Sequence, residues 1–449
     1  MINVITGSLL FFIVGSVFFS ALFIVYSMVE NEKKAAIRMI LVTVFLLILG
    51  AALIFVGAPF VFQITLLVFI LVALSVVLFR FGNKSITFPV PKKQFDERDV
   101  MFSRAALKPD IKNFKDYYAM RPQNLQVDNA FRKLPGLLNA NTKYYNRYIF
   151  SAANATFSAV NLLQPLTEQK TQESNDKSIN ADEATLFLKK WVEKLGVHSV
   201  GFTHLQSHHL YSHIGRGKKY GDAVELNHKF AIAFTVEMSH ESLSYAPQGP
   251  VVMESSQQYL NAGTIAVQIA EFIRNLGFEA RAHIDANYRV ICPLVAQDAG
   301  LGTIGRMGLL MTPKLGARVR VAVVTTNMEL VTTSPKEIDS SVVRFCEICK
   351  KCAVNCPSNA ISFNSGKTKL GWQLWKISHE KCYTYWCKIG TDCGRCITVC
   401  PYSHPNNFIH NTIRWMIKRN PVNRWLALKL DNYFYGTKPA LIPLKKWTG

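Results

Sequence analysis

Acidic residues are scarce in this 449-residue chain: 30 Asp and Glu stand against 51 Lys and Arg, a formal net charge of +21. That balance suits an anionic partner, either nucleic acid or the inner leaflet of a membrane. Charge of either sign is missing from residues 3–29, and again from 39–79, where Ala58-Pro59 interrupts the run. Stretches this long are excluded from an ordinary protein surface, since about 20 apolar residues are enough for a spanning helix. They predict three transmembrane helices, at about 5–28, 38–57 and 60–80. No basic segment precedes Ile5, the first apolar stretch is too long for a signal-peptide core, and no twin arginine occurs, so a cleaved export signal is not expected. The 11 histidines include no HExxH-type spacing, and the sole pair, His208-His209, sits among loop-like residues, so a histidine metal centre is not expected. No repeat of solenoid length is present.

Nine of the ten cysteines are concentrated between residues 346 and 400. Cys346, Cys349 and Cys352 form a C-x2-C-x2-C loop followed by Cys356-Pro357. Cys382 and Cys387 precede a second run, Cys393, Cys396 and Cys400-Pro401. Zinc is satisfied by four ligands in two arms and does not require a third close cysteine or the Cys-Pro ending. A disulfide framework belongs to small secreted domains. The spacing is that of a two-cluster ferredoxin, in which the fourth cysteine of each run crosses to the other cluster. One [4Fe-4S] cluster then takes Cys346, Cys349, Cys352 and Cys400. The other takes Cys356, Cys393 and Cys396, with either Cys382 or Cys387. The remaining cysteine, Cys292, lies in an apolar run and reads as a buried core thiol.

Basic residues fall in the loop after the first span (Lys33, Lys34, Arg38) and after the third (Arg80, Lys84, Lys92, Lys93, Arg98), with none between the second and third. The positive-inside bias therefore places both segments, and everything after residue 80, on the cytoplasmic side of an inner membrane. The tail from Arg414 onward mixes eight Lys and Arg with Trp415, Trp425 and Trp447. Beside an anchor, that favours lipid over nucleic acid.

The chain divides into an anchor at 1–82, a linker and weakly patterned region with a polar loop at 83–182, a core at 183–340, the cysteine module at 341–405 and a basic tail at 406–449. In the core, helical spacing covers Ala184–Leu195 and Tyr259–Phe278. Strand patterns cover 200–202, 228–237 and 318–325. The fold class expected is α+β, with an α/β-like core. The glycines of Asp298-Ala-Gly300-Leu-Gly302-Thr-Ile-Gly305-Arg306 have the look of a phosphate-cradling loop. No acidic residue follows at the nucleotide-fold spacing, and Pro313 breaks the next segment.

Taken together, the run FCEICKKCAVNCPSNAI from Phe345, the Cys382…Trp386…Gly390…Cys393…Cys396…Cys400-Pro401 stretch, the Tyr259…Glu271…Arg274…Gly277-Phe278 segment and the glycine loop through Thr312-Pro313 resemble the reductive dehalogenases, over roughly residues 180–410. The resemblance implies a corrinoid with its lower base detached, fed by two [4Fe-4S] clusters, that reduces the carbon–halogen bond of an organohalide. The absence of a D-x-H-x-x-G cobalamin-ligand motif agrees with that mode. It also implies Tyr259, at the opening of its helix, as proton donor, with Tyr245 second. Arg318 is implied as the assisting cation, with Arg320 as its neighbour. A third position falls at Asp285 or Asn287, and Cys382 is favoured over Cys387. Gly300, Gly302, Gly305 and Arg306 become a close approach for the corrinoid. Better-known members are exported and docked to a separate small anchor, whereas here the spans are fused to the catalytic part. Two other readings share the cysteines. One is an epoxyqueuosine-reductase-like enzyme acting on tRNA, against which the spans count. The other is a membrane-bound ferredoxin without corrinoid. The electron donor is left open.

Overall fold

The computed structural model describes residues 2–52, 59–82, 91, 93–171, 179–333, 340–364 and 375–444. The expected end of the second span, most of the linker, the centre of the polar loop and the Lys445-Lys446-Trp447 end of the tail lie outside the described residues. The chain forms two compact units, Met1–Lys84 with Pro405–Pro439, and Ser85–His404 with Ala440–Gly449.

The first unit holds three apolar helices, α1 (Ile2–Val29), α2 (Lys33–Ala52) and α3 (Phe60–Leu78), each long and apolar enough to cross a membrane. Most of their large side chains, among them Phe11, Val61 and Phe69, are exposed, as helices facing lipid require. One polar tie crosses the bundle: Thr6 Oγ1 of α1 donates to the buried Gln63 of α3 at 2.8 Å. The tail folds onto these helices. Asn420 Nδ2 donates to the carbonyls of Val76 and Phe79 at 2.7 and 3.0 Å, and Asn423 Nδ2 to that of Val77 at 2.9 Å. These bonds satisfy carbonyls that the end of α3 leaves open. At the other loop the Glu30 carboxylate accepts from Asn407 Nδ2 at 2.6 Å and His410 Nε2 at 3.1 Å. The Arg38 guanidinium donates to the carbonyl of Tyr433. Two tail cations, Arg414 and Arg424, are buried on internal carbonyls of Pro405 and Ile417. The tail is therefore a folded part of the anchor unit, while Trp415 and Trp425 stay exposed.

The second unit is built on a four-stranded sheet of order β1-β2-β6-β3: β1 Ser199–His204, β2 Phe230–Glu237, β3 Ala280–His283 and β6 Val319–Thr326. Every pairing is antiparallel. The α/β-like expectation is corrected here. β2 and β3, joined by the long helix Gly249–Asn275, do run parallel, but β6 inserts between them and reverses both contacts. Alternation decides the faces. Phe230, Ile232, Phe234, Val236, Ala322 and Val324 pack on the long helix through Ala262, Ala266, Ile269 and Ile273. Ala231, Ala233 and Val323 face Val295, Ala296 and Leu310. The long helix begins ten residues before the expected Tyr259, because Gly249-Pro250 puts proline in the first turn, where its missing N–H costs nothing. Tyr259 thus lies inside the helix.

The stretch that shows little pattern in sequence, residues 101–165, forms short helices, including Met101–Ala105, Lys112–Met120, Pro122–Arg132 and Arg147–Leu162. A charge network joins them to the cysteine-bearing helix His379–Ile389. Arg104 holds both oxygens of the fully buried Asp128, at 2.9 and 2.5 Å, and reaches Glu380 at 2.8 Å. Tyr118 Oη donates to Asp128 at 2.7 Å. Removing one partner of a buried pair strands the other charge, at a cost of about 3–5 kcal/mol. Arg104→Met is expected to lower the thermal unfolding midpoint of the full chain in detergent by several degrees, read by circular dichroism. An unchanged midpoint would show that the network carries no stability.

Candidate active site

The two cysteine runs fold as a structural repeat. The helix Ser340–Cys349 carries Cys346 and Cys349, Lys350 turns the chain at φ 55°, and the short helix Lys351–Val354 carries Cys352. In the second copy Gly394 makes the same left-handed turn at φ 66°, and Arg395–Thr398 carries Cys396. Cys346, Cys349, Cys352 and Cys400 line one cavity, so the last cysteine of the second run joins the first three of the other. Cys356, Cys382, Cys393 and Cys396 share a second neighbourhood. Burial, then the charges of Cys356 and Asp392, pushes the Cys382 thiol up to about 12. Burial likewise pushes Cys393 up to about 12, with Cys382, Asp392 and Cys356 adding to it. Thiols raised in this way, as Cys382, Cys393 and Cys396 are, make poor thiolates unless cations lie among them, which the irons of a cubane would supply. Cys387 turns away from this group. It sits five residues beyond Cys382 on the same helix, packed with Met101, Phe131 and Tyr383.

The glycine loop packs against the first cysteine group. Thr303–Ile304 (β4) pairs with Leu310–Met311 (β5) as a tight hairpin. A Cβ on Gly302 would strike the Met311 carbonyl, and one on Gly305 would come within 2.7 Å of the Met311 side chain and 3.6 Å of Cys346 Sγ. Gly300, at φ 78°, makes the turn into it. Arg306 is 1% exposed and its donors are committed: Nε and Nη2 to the Cys346 carbonyl at 3.0 and 2.8 Å, Nη1 to the Ser362 and Phe363 carbonyls at 2.8 and 3.0 Å. Its guanidinium lies 4.9 Å from the Trp375 ring centroid. Asp298, at the head of the loop, accepts from His209 Nε2 at 2.8 Å, while His209 Nδ1 accepts the Gln206 N–H. That tautomer makes His209 Nε2 a donor, so the His208, His209 and Asp298 group braces the loop rather than holding a metal.

The second constellation centres on Tyr259. The long helix puts Ser255 and Tyr259 one turn apart, on the side facing the sheet. β6 presents Arg320 to them, its guanidinium 4.6 Å from the Tyr259 ring centroid. Arg320 Nη2 donates to Ser255 Oγ at 2.5 Å and to Asp392 Oδ2 at 3.2 Å. The Ser255 hydroxyl donates to the same carboxylate oxygen. Phe157 flanks the Tyr259 ring at 6.3 Å. Arg320 is the largest influence on the phenol and draws its pKa down, but burial with Asp285 and Asp392 outweighs it, and the net shift is upward. Burial raises Asp285, and burial followed by Asp285 and Tyr259 holds Tyr288 well above the usual phenol range. Arg216 opposes the rise at all three.

Arg320, not Arg318, is therefore the cation at Tyr259. Both lie on the same strand face, two residues apart. Arg318 precedes the strand and is 1% exposed, donating to the carbonyls of Ser403 at 2.7 Å and Met238 at 2.5 Å and to Glu237 at 2.9 Å. Of the two candidates for the third position, Asn287 is held by Arg281 and Thr167 at 2.6 and 2.8 Å, while Asp285 acts electrostatically on Tyr259. Tyr245 is 7% exposed. Ser255, Asp392 and Arg216 escape sequence reasoning, because nothing in their local pattern sets them apart from a capping serine, a loop aspartate or a surface arginine.

The module defines a two-cluster iron–sulfur protein: residues 345–404 match the 4Fe-4S dicluster domain. The tetrachloroethene reductive dehalogenase of Sulfurospirillum multivorans is 33% identical over 225 residues, 48% of this chain and 43% of that protein. An epoxyqueuosine reductase of Francisella cf. novicida is 31% identical over 209 residues, 40% of this chain and 52% of that protein. A solved reductive dehalogenase, whose structure suggests a mechanism for B12-dependent dehalogenation, shares the fold at TM-score 0.63 and 22% identity, covering 81% of this chain and 50% of that one. The chain spans about half the length, or less, of the curated dehalogenases it matches. Over the part they share, the chain is similar to the reductive dehalogenases.

Cys382→Ala is expected to remove the second cluster, taking iron from about eight to about four atoms per chain, while Cys387→Ala leaves it at about eight. Iron analysis after anaerobic reconstitution reads both. Loss of iron in the Cys387 variant alone would reverse the assignment.

Proposed function

We propose that this chain is a membrane-anchored reductive dehalogenase that cleaves the carbon–halogen bond of an organohalide. The observation that carries the reading is the Tyr259–Arg320 pair, recessed between the long helix and β6 and tied by Asp392 to the second cysteine run. The groups that act on Tyr259 are Arg320, Asp285, Asp392 and Arg216, with Tyr288 and the buried Cys292 thiol beside them. The sequence has no D-x-H-x-x-G cobalamin-ligand motif, which fits a corrinoid with its lower base detached. When bound, a corrinoid supplies low-potential electrons at cobalt for the carbon–halogen bond.

The residues of the chain do the rest. Tyr259 keeps its proton at neutral pH, because its pKa is raised, and so can deliver it from Oη to the carbon that loses halide. Arg320 over the ring stabilises the phenolate left behind. Asp285 and Asp392 keep that stabilisation from ionising the phenol before substrate arrives. The two cysteine groups would hold the clusters, which would supply electrons one at a time.

The same reading places the catalytic unit at the cytoplasmic face of an inner membrane. Support comes from the basic loops and from the anchor unit. The α1–α2 loop, through Glu30, and the end of α3, through Val76 and Phe79, both engage the folded tail, so they lie at the same end of the bundle. Exposed Trp415 and Trp425, stacked with Arg419 and Lys429 at 4.2 and 5.7 Å, suit the lipid headgroup level.

Tyr259→Phe is expected to abolish halide release from a panel of haloaromatics and haloethenes while iron content stays unchanged. Full activity in that variant would remove Tyr259 as donor. In the wild type, kcat should stay level through neutral pH and fall only above the ordinary tyrosine pKa of about 10, since a raised pKa moves the loss of the protonated donor upward. A reporter fused after Gly449 should be active only in its cytoplasmic form. Periplasmic activity would overturn the orientation.

A further inference from the structure

Asp392 does two things at once. It is the residue immediately before Cys393 in the second cysteine run. The same carboxylate accepts from Arg320 Nη2 and from the Ser255 hydroxyl, one helical turn before Tyr259. The pair is well removed from water, with Arg320 and Asp392 side chains 17% and 14% exposed. Oδ2 takes both hydrogen bonds, while Oδ1 is buried with no described partner, as is Arg320 Nε. A loop aspartate that served only to hold its own turn would direct its oxygens at backbone N–H groups. Here it reaches instead to a serine and an arginine on two other elements.

We infer that Asp392 is a shared counter-charge, which positions Arg320 over Tyr259 and sets the reduction potential of the second cluster. The inference deepens the dehalogenase reading and rests on it for the role of Tyr259, but its redox half stands on the cysteine module alone. Cluster potential follows the net charge around the sulfurs. A carboxylate at the cage opposes the added electron and holds the potential low, and Arg320 offsets part of that charge. The same residue therefore links how readily the second cluster gives up its electron to how firmly the arginine is held at the proton donor.

The test uses the full chain in detergent, reconstituted with iron and sulfide, and redox titrations followed by electron paramagnetic resonance. The second cluster is recognised as the signal lost in Cys382→Ala. Asp392→Asn should shift the midpoint potential of that cluster upward and leave the first unchanged. Arg320→Gln should shift the same cluster downward, and Asp392→Glu should restore the wild-type value. No shift in either variant, or an equal shift in both clusters, overturns the redox half. Should Asp392→Asn fail to take up iron, the sign of the Arg320→Gln shift decides.

The positioning half is read from the pH profile. Ser255→Ala takes a partner from Arg320 without removing a charge, so the loosened guanidinium stabilises the phenolate less and the alkaline limb of kcat should move to higher pH. Asp392→Asn also removes a negative charge near the phenol, so its limb should lie at lower pH than that of Ser255→Ala. An unmoved limb in both variants overturns it. If the wild type dehalogenates no substrate and the potentials still shift with opposite sign, the dehalogenase reading fails while the charge link to the second cluster stands.

Discussion

Eight thiols brought into one small module set the terms for the rest of the second unit. Burial raises every thiol of the two groups for which a shift is resolved, and their mutual repulsion raises several of them further. Where a shift is resolved, the thiols hold their protons more firmly than a free cysteine does. Building the clusters releases their protons and turns a costly arrangement into the core of the module. The helices that carry Cys352 and Cys396 have four residues each, far below what an isolated helix needs to persist. They hold their shape because cluster ligands fix both ends. The surrounding protein supplies braces: Arg306 on the Cys346 carbonyl, the β4–β5 hairpin against Met311, and the Arg104–Asp128 network at the helix bearing Cys382.

The long helix is the second organising element. Its sheet-facing stripe runs through Ala262, Ala266, Ile269 and Ile273 where it crosses the strands, and ends in polar Ser255 and Tyr259 where it leaves them. The recess arises at that change. Apolar packing stops, and the charges of Arg320, Asp392, Asp285 and Arg216 act together on Tyr259. Charges in such surroundings act on one another strongly, which is why a single phenol there is pulled one way by an arginine and further the other way by burial and two carboxylates.

Much of this was legible in the residues. The crossed cluster pattern follows from spacing, the spans from long charge-free runs, and β2 and β6 from continuous apolar stretches. The antiparallel sheet was not legible, because β6 lies far along the chain from the two strands it separates, and order in a sheet is decided by packing. The start of the long helix was missed because the apolar stripe weakens before Tyr259, where the helix faces the recess. Arg318 and Arg320 could not be told apart, since alternation puts both on one face. Only depth along the strand separates a structural arginine from the one at the tyrosine. The glycines of the 300–306 loop matched a ligand cradle because a tight hairpin against a cysteine helix demands the same absence of Cβ atoms.

The anchor unit draws its parts from both ends of the sequence. The carbonyls closing α3 are met by Asn420 and Asn423, and the Glu30 carboxylate by Asn407 and His410, all beyond the last cluster cysteine. During synthesis the three apolar helices emerge hundreds of residues before the side chains that complete their ends. Those groups stay unpartnered by the tail until the whole cysteine module has been made. A chain interrupted anywhere before residue 407 therefore lacks the side chains that complete the first unit.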